Sequence, residues 1–101
     1  MVKLVALYRK PADLEAFERH YWEVHLPLAR KMPGLRRLEV SRVTGAPGGE
    51  PPYHLMAEMY FDDQTALDAA MKSPEGRAAG KDLMGFAADL VTLYTAEVTE
   101  H

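Results

Sequence analysis

The sequence predicts an α+β fold whose strands and helices follow the order β-α-β-β-α-β, which is the ferredoxin-like arrangement. Short, β-compatible apolar segments alternate with segments in which apolar residues recur every three or four positions, as on one face of a helix. Proline and glycine pairs separate several of these segments. We therefore expect a single domain over residues 1–101, with an antiparallel four-stranded sheet that carries its helices on one face.

The first part of the chain supplies one strand and one long helix. Residues 2–8 are apolar and β-compatible, and they predict the first strand. Asp13 can cap the helix that we predict from Leu14 to Met32, and Pro33-Gly34 ends it. Pro27 has no backbone N–H to donate, so we expect the helix to kink there.

The same signals place the remaining elements. The segment GAPGGEPP at residues 45–52 consists mostly of breakers, and we interpret it as a hairpin connection. We expect strands at residues 35–44, 53–61 and 90–98. We expect one helix to begin at residues 62–63 and to end at the break at 73–74, and another to span residues 75–88.

Composition excludes several classes of function. The net charge is -3 and the pI is about 5.8, so the chain lacks the basic patch of a nucleic-acid-binding protein. No segment approaches the roughly 20 apolar residues of a membrane span. Cysteine is absent, which excludes disulfides, thiol catalysis and cysteine-ligated zinc. The N-terminal apolar run is short and ends in Arg9 and Lys10, so we expect a cytoplasmic protein without a signal peptide.

Both faces of the predicted sheet are substantially apolar. The third strand places Leu55, Ala57, Met59 and Phe61 on one side, and His54, Met56, Glu58 and Tyr60 on the other. Helices on one face leave the second apolar face uncovered, and a second copy of the chain would cover it. We therefore predict a homodimer whose interface is the sheet face that carries Met56 and Tyr60.

The sequence contains no convincing metal, phosphate or serine-nucleophile motif. His20 and His25 are five residues apart, which on an α-helix separates them by about 140° and disfavours a shared metal. The glycines of residues 45–49 lack the lysine and the following helix of a phosphate loop. Ser41 and Ser73 lie outside any G-x-S-x-G signature. We expect neither a metal nor an organic cofactor.

His25 is the most informative residue of the first helix. On a regular α-helix it lies at the edge of the apolar stripe formed by Leu14, Phe17, Tyr21, Val24 and Leu28. Two readings remain open on this pattern alone. His25 is either a structural histidine that donates to a backbone carbonyl freed by Pro27, or a general acid/base, because an imidazole titrates near pH 6.5.

Methionine and aromatic positions are more typical of a hydrophobic core than of a ligand site. These positions are Trp22, Met32, Met56, Met59 and Phe86. Trp22 departs from this pattern, because it lies beside His25 on the far edge of the apolar stripe. A dimer contact or a pocket wall is plausible for it.

The sequence also resembles a known family. The resemblance is carried by A-F-x-x-x-Y-W-x-x-H-x-P-L at residues 16–28, P-G-L at 33–35, Tyr53-His54, Phe61-Asp62, S-P-E-G at 73–76, Asp82 and Phe86. Together these motifs span nearly the whole chain and resemble EthD-like proteins of the dimeric α+β barrel superfamily. The resemblance implies two ferredoxin-like subunits packed sheet to sheet, with a small-molecule pocket between the helices and the sheet of each subunit. It also implies that His25 points into this pocket.

The resemblance suggests a function for this pocket. We expect a cofactor-independent oxidoreductase that acts on a cyclic or aromatic oxygenated compound, with His25 as general acid/base. We expect Tyr8, Trp22, Met59 and Phe86 to bind the substrate. Two alternatives stay open: a lactone isomerase or polyketide-type cyclase, and a non-catalytic protein that binds a small apolar or aromatic ligand.

Overall fold

The computed structural model describes all residues from Met1 to His101 and confirms the α+β fold. Four strands form one antiparallel sheet in the order β2-β3-β1-β4. The strands are β1 (Val2–Arg9), β2 (Arg37–Arg42), β3 (Tyr53–Phe61) and β4 (Val91–Glu97). This topology is the ferredoxin-like arrangement expected from the order of the elements.

The helices pack on one face of this sheet. They are α1 (Leu14–His20), a π-helical turn (Tyr21–His25), α2 (Leu26–Ala29), α3 (Gln64–Lys72) and α4 (Pro74–Ala87). The first three follow one another without a break and together form the predicted long helix. None of the helices combines the length and the apolar character that crossing a membrane requires.

Side chains cap the helices where the sequence indicates starts and stops. The Asp13 carboxylate accepts a hydrogen bond of 3.1 Å from the Ala16 N–H, which confirms the predicted cap of α1. Ser73 ends α3, and its hydroxyl accepts from the Gly76 N–H (3.0 Å) at the start of α4. This serine therefore ends one helix and caps the start of the next.

One face of the sheet forms the hydrophobic core with the helices. Its fully or nearly buried residues are Val2, Leu4, Ala6, Tyr8, Leu55, Ala57, Met59 and Phe61. Their alternation confirms which side of β3 was expected to face the core. Phe17, Tyr21 and Leu83 close this core from the helical side.

The predicted orientation of His54 is wrong. Tyr8 pairs with Leu55 whereas Arg9 pairs with Tyr53, so His54 is an extra residue in β3 at this point. An extra residue of this kind re-aims side chains locally. His54 therefore reaches the helical layer, where its Nε2 lies 3.0 Å from the Glu18 carboxylate.

The other face of the sheet carries no helix. Its apolar members are half-buried or exposed in the single chain: Val5, Leu7, Met56, Tyr60, Tyr94 and Ala96. An ion pair of 2.6 Å between Lys3 and Glu58 lies among them, on the two central strands of the sheet. This is the surface at which we predict a second copy to pack.

The π-helical turn changes the buried face of the first helix. The Leu26 N–H donates to the Tyr21 carbonyl, five residues back, so this turn holds one residue more than an α-helical turn. The apolar stripe expected on a regular α-helix is therefore wrong in part. Val24 is 42% exposed, whereas His25 is only 7% exposed and lies in the core rather than at its edge. The irregularity precedes Pro27 instead of following His25.

Candidate active site

Asp82 of α4 holds the buried imidazole of His25. The Nδ1 atom of His25 lies 3.0 Å from one carboxylate oxygen of Asp82. An ionised carboxylate only accepts hydrogen bonds, so Nδ1 carries the proton of this bond. In the neutral ring, Nε2 is then the unprotonated nitrogen, which can accept a proton.

The free nitrogen of His25 faces a cavity. Nε2 makes no hydrogen bond within the chain. Every fully buried side-chain nitrogen or oxygen has a hydrogen-bond partner, so Nε2 is not fully buried and keeps some accessible surface. His25 lines a cavity of about 210 Å³. This cavity lies between the sheet and helices α3 and α4, because residues of β1, β4, α3 and α4 line it. A ligand in the cavity therefore contacts His25, whose accessible nitrogen is Nε2.

The walls of this cavity are mostly apolar and adaptable. Ten of its thirteen lining residues are hydrophobic, and four of those are methionines: Met32, Met59, Met71 and Met84. Methionine side chains are flexible and polarizable, so they accommodate apolar surfaces of irregular shape. Met71 and Met84 are 40% and 53% exposed, which places them at the mouth of the cavity.

The Tyr8 hydroxyl is the second polar group of the cavity. Tyr8 lines the cavity and is 1% exposed, and its hydroxyl makes no hydrogen bond within the chain. Since no buried oxygen is left without a partner, the hydroxyl keeps some accessible surface. Burial raises the pKa of Tyr8, so its hydroxyl stays protonated and can donate to an oxygen of a ligand.

The surroundings of His25 favour its neutral form. Burial lowers the pKa of His25, because a charged imidazolium loses hydration in the core. The hydrogen bond and the negative charge of Asp82 act in the opposite direction and raise this pKa, but burial is the larger cause. His25 is therefore an unprotonated base at neutral pH, and Asp82 would stabilise it after it accepts a proton.

His20 approaches the same carboxylate from the other side. Its Nε2 lies 2.9 Å and 3.0 Å from the two oxygens of Asp82. The expectation that His20 and His25 diverge is wrong, because the π-helical turn brings residues five apart to the same side of the helix. No group of three or more histidine, aspartate or glutamate side chains is arranged to hold a metal ion.

Two of the four residues expected to bind substrate line the cavity of His25. These are Tyr8 and Met59. Phe86 instead lines a second, more open cavity of about 400 Å³, together with His20. Its ring centroid lies 5.2 Å from that of His25, so it flanks the imidazole from outside the first cavity.

Trp22 lies away from both cavities. Its indole N–H donates to Glu18 (3.4 Å), and the Arg42 guanidinium lies 5.2 Å from its ring centroid. Glu18 also accepts from Arg42 at 2.7 Å and pairs with His54. Burial raises the pKa of the Glu18 carboxylate, but the hydrogen bonds from His54 and Arg42 outweigh it, so this pKa is lowered overall. Trp22 thus belongs to a polar cluster at the edge of the helical layer.

The role of Asp82 did not follow from sequence patterns, although a signal was present. Ala79, Asp82, Leu83 and Phe86 follow the spacing of one helical face. A carboxylate among apolar neighbours needs a donor, and the two histidines of the first helix are the available ones. The π-helical turn that brings both histidines within reach has no clear signature in the sequence.

The fold and the site define a class of protein. It is a ferredoxin-like α+β chain with a buried histidine on an apolar cavity. A family model described as "EthD domain" matches residues 9–89, which include His25 and Asp82. The chain therefore belongs to the EthD family, as the sequence resemblance indicated.

Similar proteins support this assignment. The chain is 52% identical to an EthD family protein of Bacillus halodurans, whose crystal structure matches with a TM-score of 0.95 over 98% of this chain and 99% of that one. It is also 34% identical to an uncharacterized 11.0 kDa protein of Rhodococcus erythropolis from the thcB-thcC intergenic region, covering 98% of this chain and 97% of the relative.

A more distant structure shows the same fold. It is a dimeric ferredoxin-like protein of unknown function from Jannaschia sp. CCS1, 21% identical, with a TM-score of 0.71 over 96% of this chain and 98% of that one. At this identity the similarity concerns the fold alone. Its description as dimeric is a property of that protein, and it agrees with the two apolar sheet faces found here.

Proposed function

We propose that this chain is a small-molecule enzyme in which His25 acts as a general acid/base on a cyclic or aromatic oxygenated compound. One observation supports this most: Asp82 holds Nδ1 of His25, and Nε2 is left free on an apolar cavity. A positioned base with a pKa near the working pH is what proton transfer requires.

The size of the cavity supports a ligand with a single ring. An apolar cavity of about 150 Å³ binds benzene, whereas drug-sized ligands occupy roughly 300–1,000 Å³. The cavity of about 210 Å³ falls between these limits. A phenol or a ring ketone would fill it and place one oxygen near Tyr8 and His25.

The two polar groups suggest complementary roles. Nε2 of His25 would remove a proton from a phenol O–H or from a carbon next to a carbonyl. The Tyr8 hydroxyl would donate to the oxygen on which negative charge develops. The resulting phenolate or enolate is electron-rich, and its oxidation by an external oxidant, most simply dioxygen, would make the protein a cofactor-independent oxidoreductase.

Exchange of carbon-bound protons tests the proposed base without a known substrate. Cyclic ketones are incubated with the protein in D₂O, and NMR follows the loss of the protons next to the carbonyl. We expect the wild type to accelerate exchange and His25→Gln to lose roughly 10²–10⁴-fold of that acceleration. His101→Gln, at the exposed C-terminus, is the matched control and should exchange like the wild type. Equal rates in folded His25→Gln and wild type would refute the assignment.

Two alternatives use the same cavity. A lactone isomerase or polyketide-type cyclase would need the same proton transfers without an oxidant, so analysis of products under nitrogen separates it from an oxidoreductase. A non-catalytic binding or accessory protein is favoured by the predominantly apolar wall. That protein would bind single-ring compounds without accelerating exchange.

We also propose that the chain is a homodimer that packs sheet to sheet. The sheet face with Met56 and Tyr60 has no helix over it, and its apolar members remain partly exposed in the single chain. An uncovered face of this kind is typical of an interaction surface. The dimeric relative of the same fold supports the proposal, although it is too distant to show it for this chain.

A further inference from the structure

We propose that Asp82 and His20 are positioning residues for His25: Asp82 fixes the tautomer that leaves Nε2 unprotonated, and His20 holds Asp82 in place. This inference rests on the proposed role of His25 as a base. Neither Asp82 nor His20 lines the cavity that contains Nε2, so both would act through His25 rather than on a ligand.

Asp82 connects two rings through one carboxylate. One oxygen lies 3.0 Å from Nδ1 of His25, and the same oxygen lies 3.0 Å from Nε2 of His20. The other oxygen lies 2.9 Å from Nε2 of His20. Because a carboxylate accepts only, both facing nitrogens must carry protons. Each ring therefore has a defined tautomer and a defined free nitrogen.

The tautomer decides whether His25 can act as a base. A neutral imidazole carries its proton on either nitrogen, and only the form protonated on Nδ1 has an acceptor directed into the cavity. A hydrogen bond to a charged group favours one form at least roughly tenfold. Without it, part of the population would present an N–H to the ligand and would be unable to accept a proton.

His20 keeps the carboxylate aligned from the solvent side. The exposed fractions of the side chains decrease from His20 (34%) through Asp82 (17%) to His25 (8%). His20 contacts both oxygens of Asp82, which restrains rotation of the carboxylate. The Phe86 ring centroid lies 4.3 Å from that of His20 and 5.2 Å from that of His25, so Phe86 packs beside the cluster.

The π-helical turn makes this arrangement possible. On a regular α-helix, His20 and His25 would point about 140° apart and could not share one residue of α4. The additional residue in the turn Tyr21–His25 brings them together. Single π-helical turns inside helices are frequent at functional sites, which agrees with a role for this one.

The proposal is tested on the ligand-free full-length protein with ¹⁵N-labelled histidine. Two-bond NMR correlations distinguish a nitrogen that carries a proton from one that does not. For the wild type we expect His25 to be protonated on Nδ1 by at least roughly tenfold over Nε2. In Asp82→Asn the negative charge is lost and an NH₂ donor replaces one of the two oxygens, so the side chain cannot accept at all three contacts with the two rings. We expect His25 to lose its single tautomer.

Two substitutions of His20 form a matched pair. His20→Gln retains an N–H donor toward Asp82, and we expect His25 to stay protonated on Nδ1. His20→Leu removes the donor, and we expect the preference for this tautomer to fall at least threefold. An unchanged His25 tautomer in both Asp82→Asn and His20→Leu would overturn the proposal. If Asp82→Asn does not fold, the comparison between His20→Gln and His20→Leu decides it alone.

Exchange kinetics separate this proposal from the proposed function. We expect kcat for exchange in Asp82→Asn to fall at least tenfold while KM stays within about twofold of the wild type, because the substituted residue does not touch the ligand. A changed tautomer with an unchanged kcat would contradict a positioning role. If folded His25→Gln exchanges like the wild type, the proposed function fails, whereas the NMR result on the tautomer still stands.

Discussion

A histidine that is buried in the core has to be neutral, paired, or both. His25 is 7% exposed, and burial lowers its pKa, while the Asp82 carboxylate partly offsets this effect. Burial alone disfavours the protonated ring and lowers the pKa of His25, whereas the carboxylate alone favours the protonated ring and raises this pKa. The combination yields a base that is free at neutral pH and is stabilised once it accepts a proton.

This shift predicts how stability depends on pH. The unfolded chain binds a proton at His25 near pH 6.5, whereas the folded protein binds it only at lower pH. Between the two values the unfolded state holds more protons, so the free energy of unfolding falls as the pH decreases below about 6.5. Above that value His25 is neutral in both states, and its contribution no longer changes.

Urea unfolding at a series of pH values from about 5.5 to 8 measures how the free energy of unfolding depends on pH. Below about pH 6.5 we expect the free energy of unfolding of His25→Gln to decrease less than that of the wild type, because glutamine does not titrate. His101→Gln is exposed and should follow the wild type. Identical slopes for His25→Gln and the wild type would show that His25 is not held neutral in the folded protein.

At the scale of the elements, the helices show what sequence patterns reveal and what they omit. Caps and breakers predicted the starts and stops well, since Asp13 and Ser73 act locally on the backbone near them. The π-helical turn Tyr21–His25 was not predicted, because its cost is compensated by tertiary contacts. The sequence therefore identified His25 as notable but placed it at the edge of the core and missed Asp82.

The junction between α3 and α4 offers a test of packing between elements. A Cβ atom at Gly76 would lie 2.1 Å from the Ala70 carbonyl oxygen, which is backbone and cannot move aside easily. Gly76→Ala should therefore destabilise the protein by about 1–3 kcal/mol through overpacking. The angle between α3 and α4 should change with it.

Gly85 is the matched control in the same helix. A Cβ atom there meets nothing within 4 Å, and the position is exposed in the interior of α4. Gly85→Ala should stabilise the protein by about 0.5–1 kcal/mol, because alanine restricts the unfolded chain more than glycine does. Chemical denaturation of both variants gives the comparison. A neutral or stabilising Gly76→Ala would contradict the close approach of the two helices.

At the scale of the whole molecule, the sequence was most informative. The fold depends on the order of elements, which breakers and apolar segments reveal without knowledge of distant contacts, and on the two-residue alternation that β3 shows. The cavity depends on gaps between side chains of six separate elements, and such gaps have no one-dimensional signature. Tyr8 and Met59 were anticipated and lie on the core side of the sheet, whereas Met71 and Met84 at the mouth were not anticipated.

The uncovered sheet face predicts the state of assembly. Met56→Lys would place an unpaired charge in the proposed interface, and we expect at least tenfold weaker dimerisation. Leu14→Lys is the control, because Leu14 is 51% exposed on the helical layer, away from the sheet. Sedimentation at micromolar concentration reports the result. A wild-type protein that is a stable monomer would refute the sheet-to-sheet dimer.

The central claim is that Nε2 of His25 meets the oxygen of a small ring compound inside the apolar cavity. Titration of the ¹⁵N-histidine-labelled protein with phenol tests this most directly, because each ring nitrogen gives its own signal. We predict that Nε2 of His25 shifts in a saturable manner, while His54 and His101, which do not line this cavity, stay unchanged. A Nε2 signal of His25 that does not respond to phenol or to related ring ketones would contradict the account.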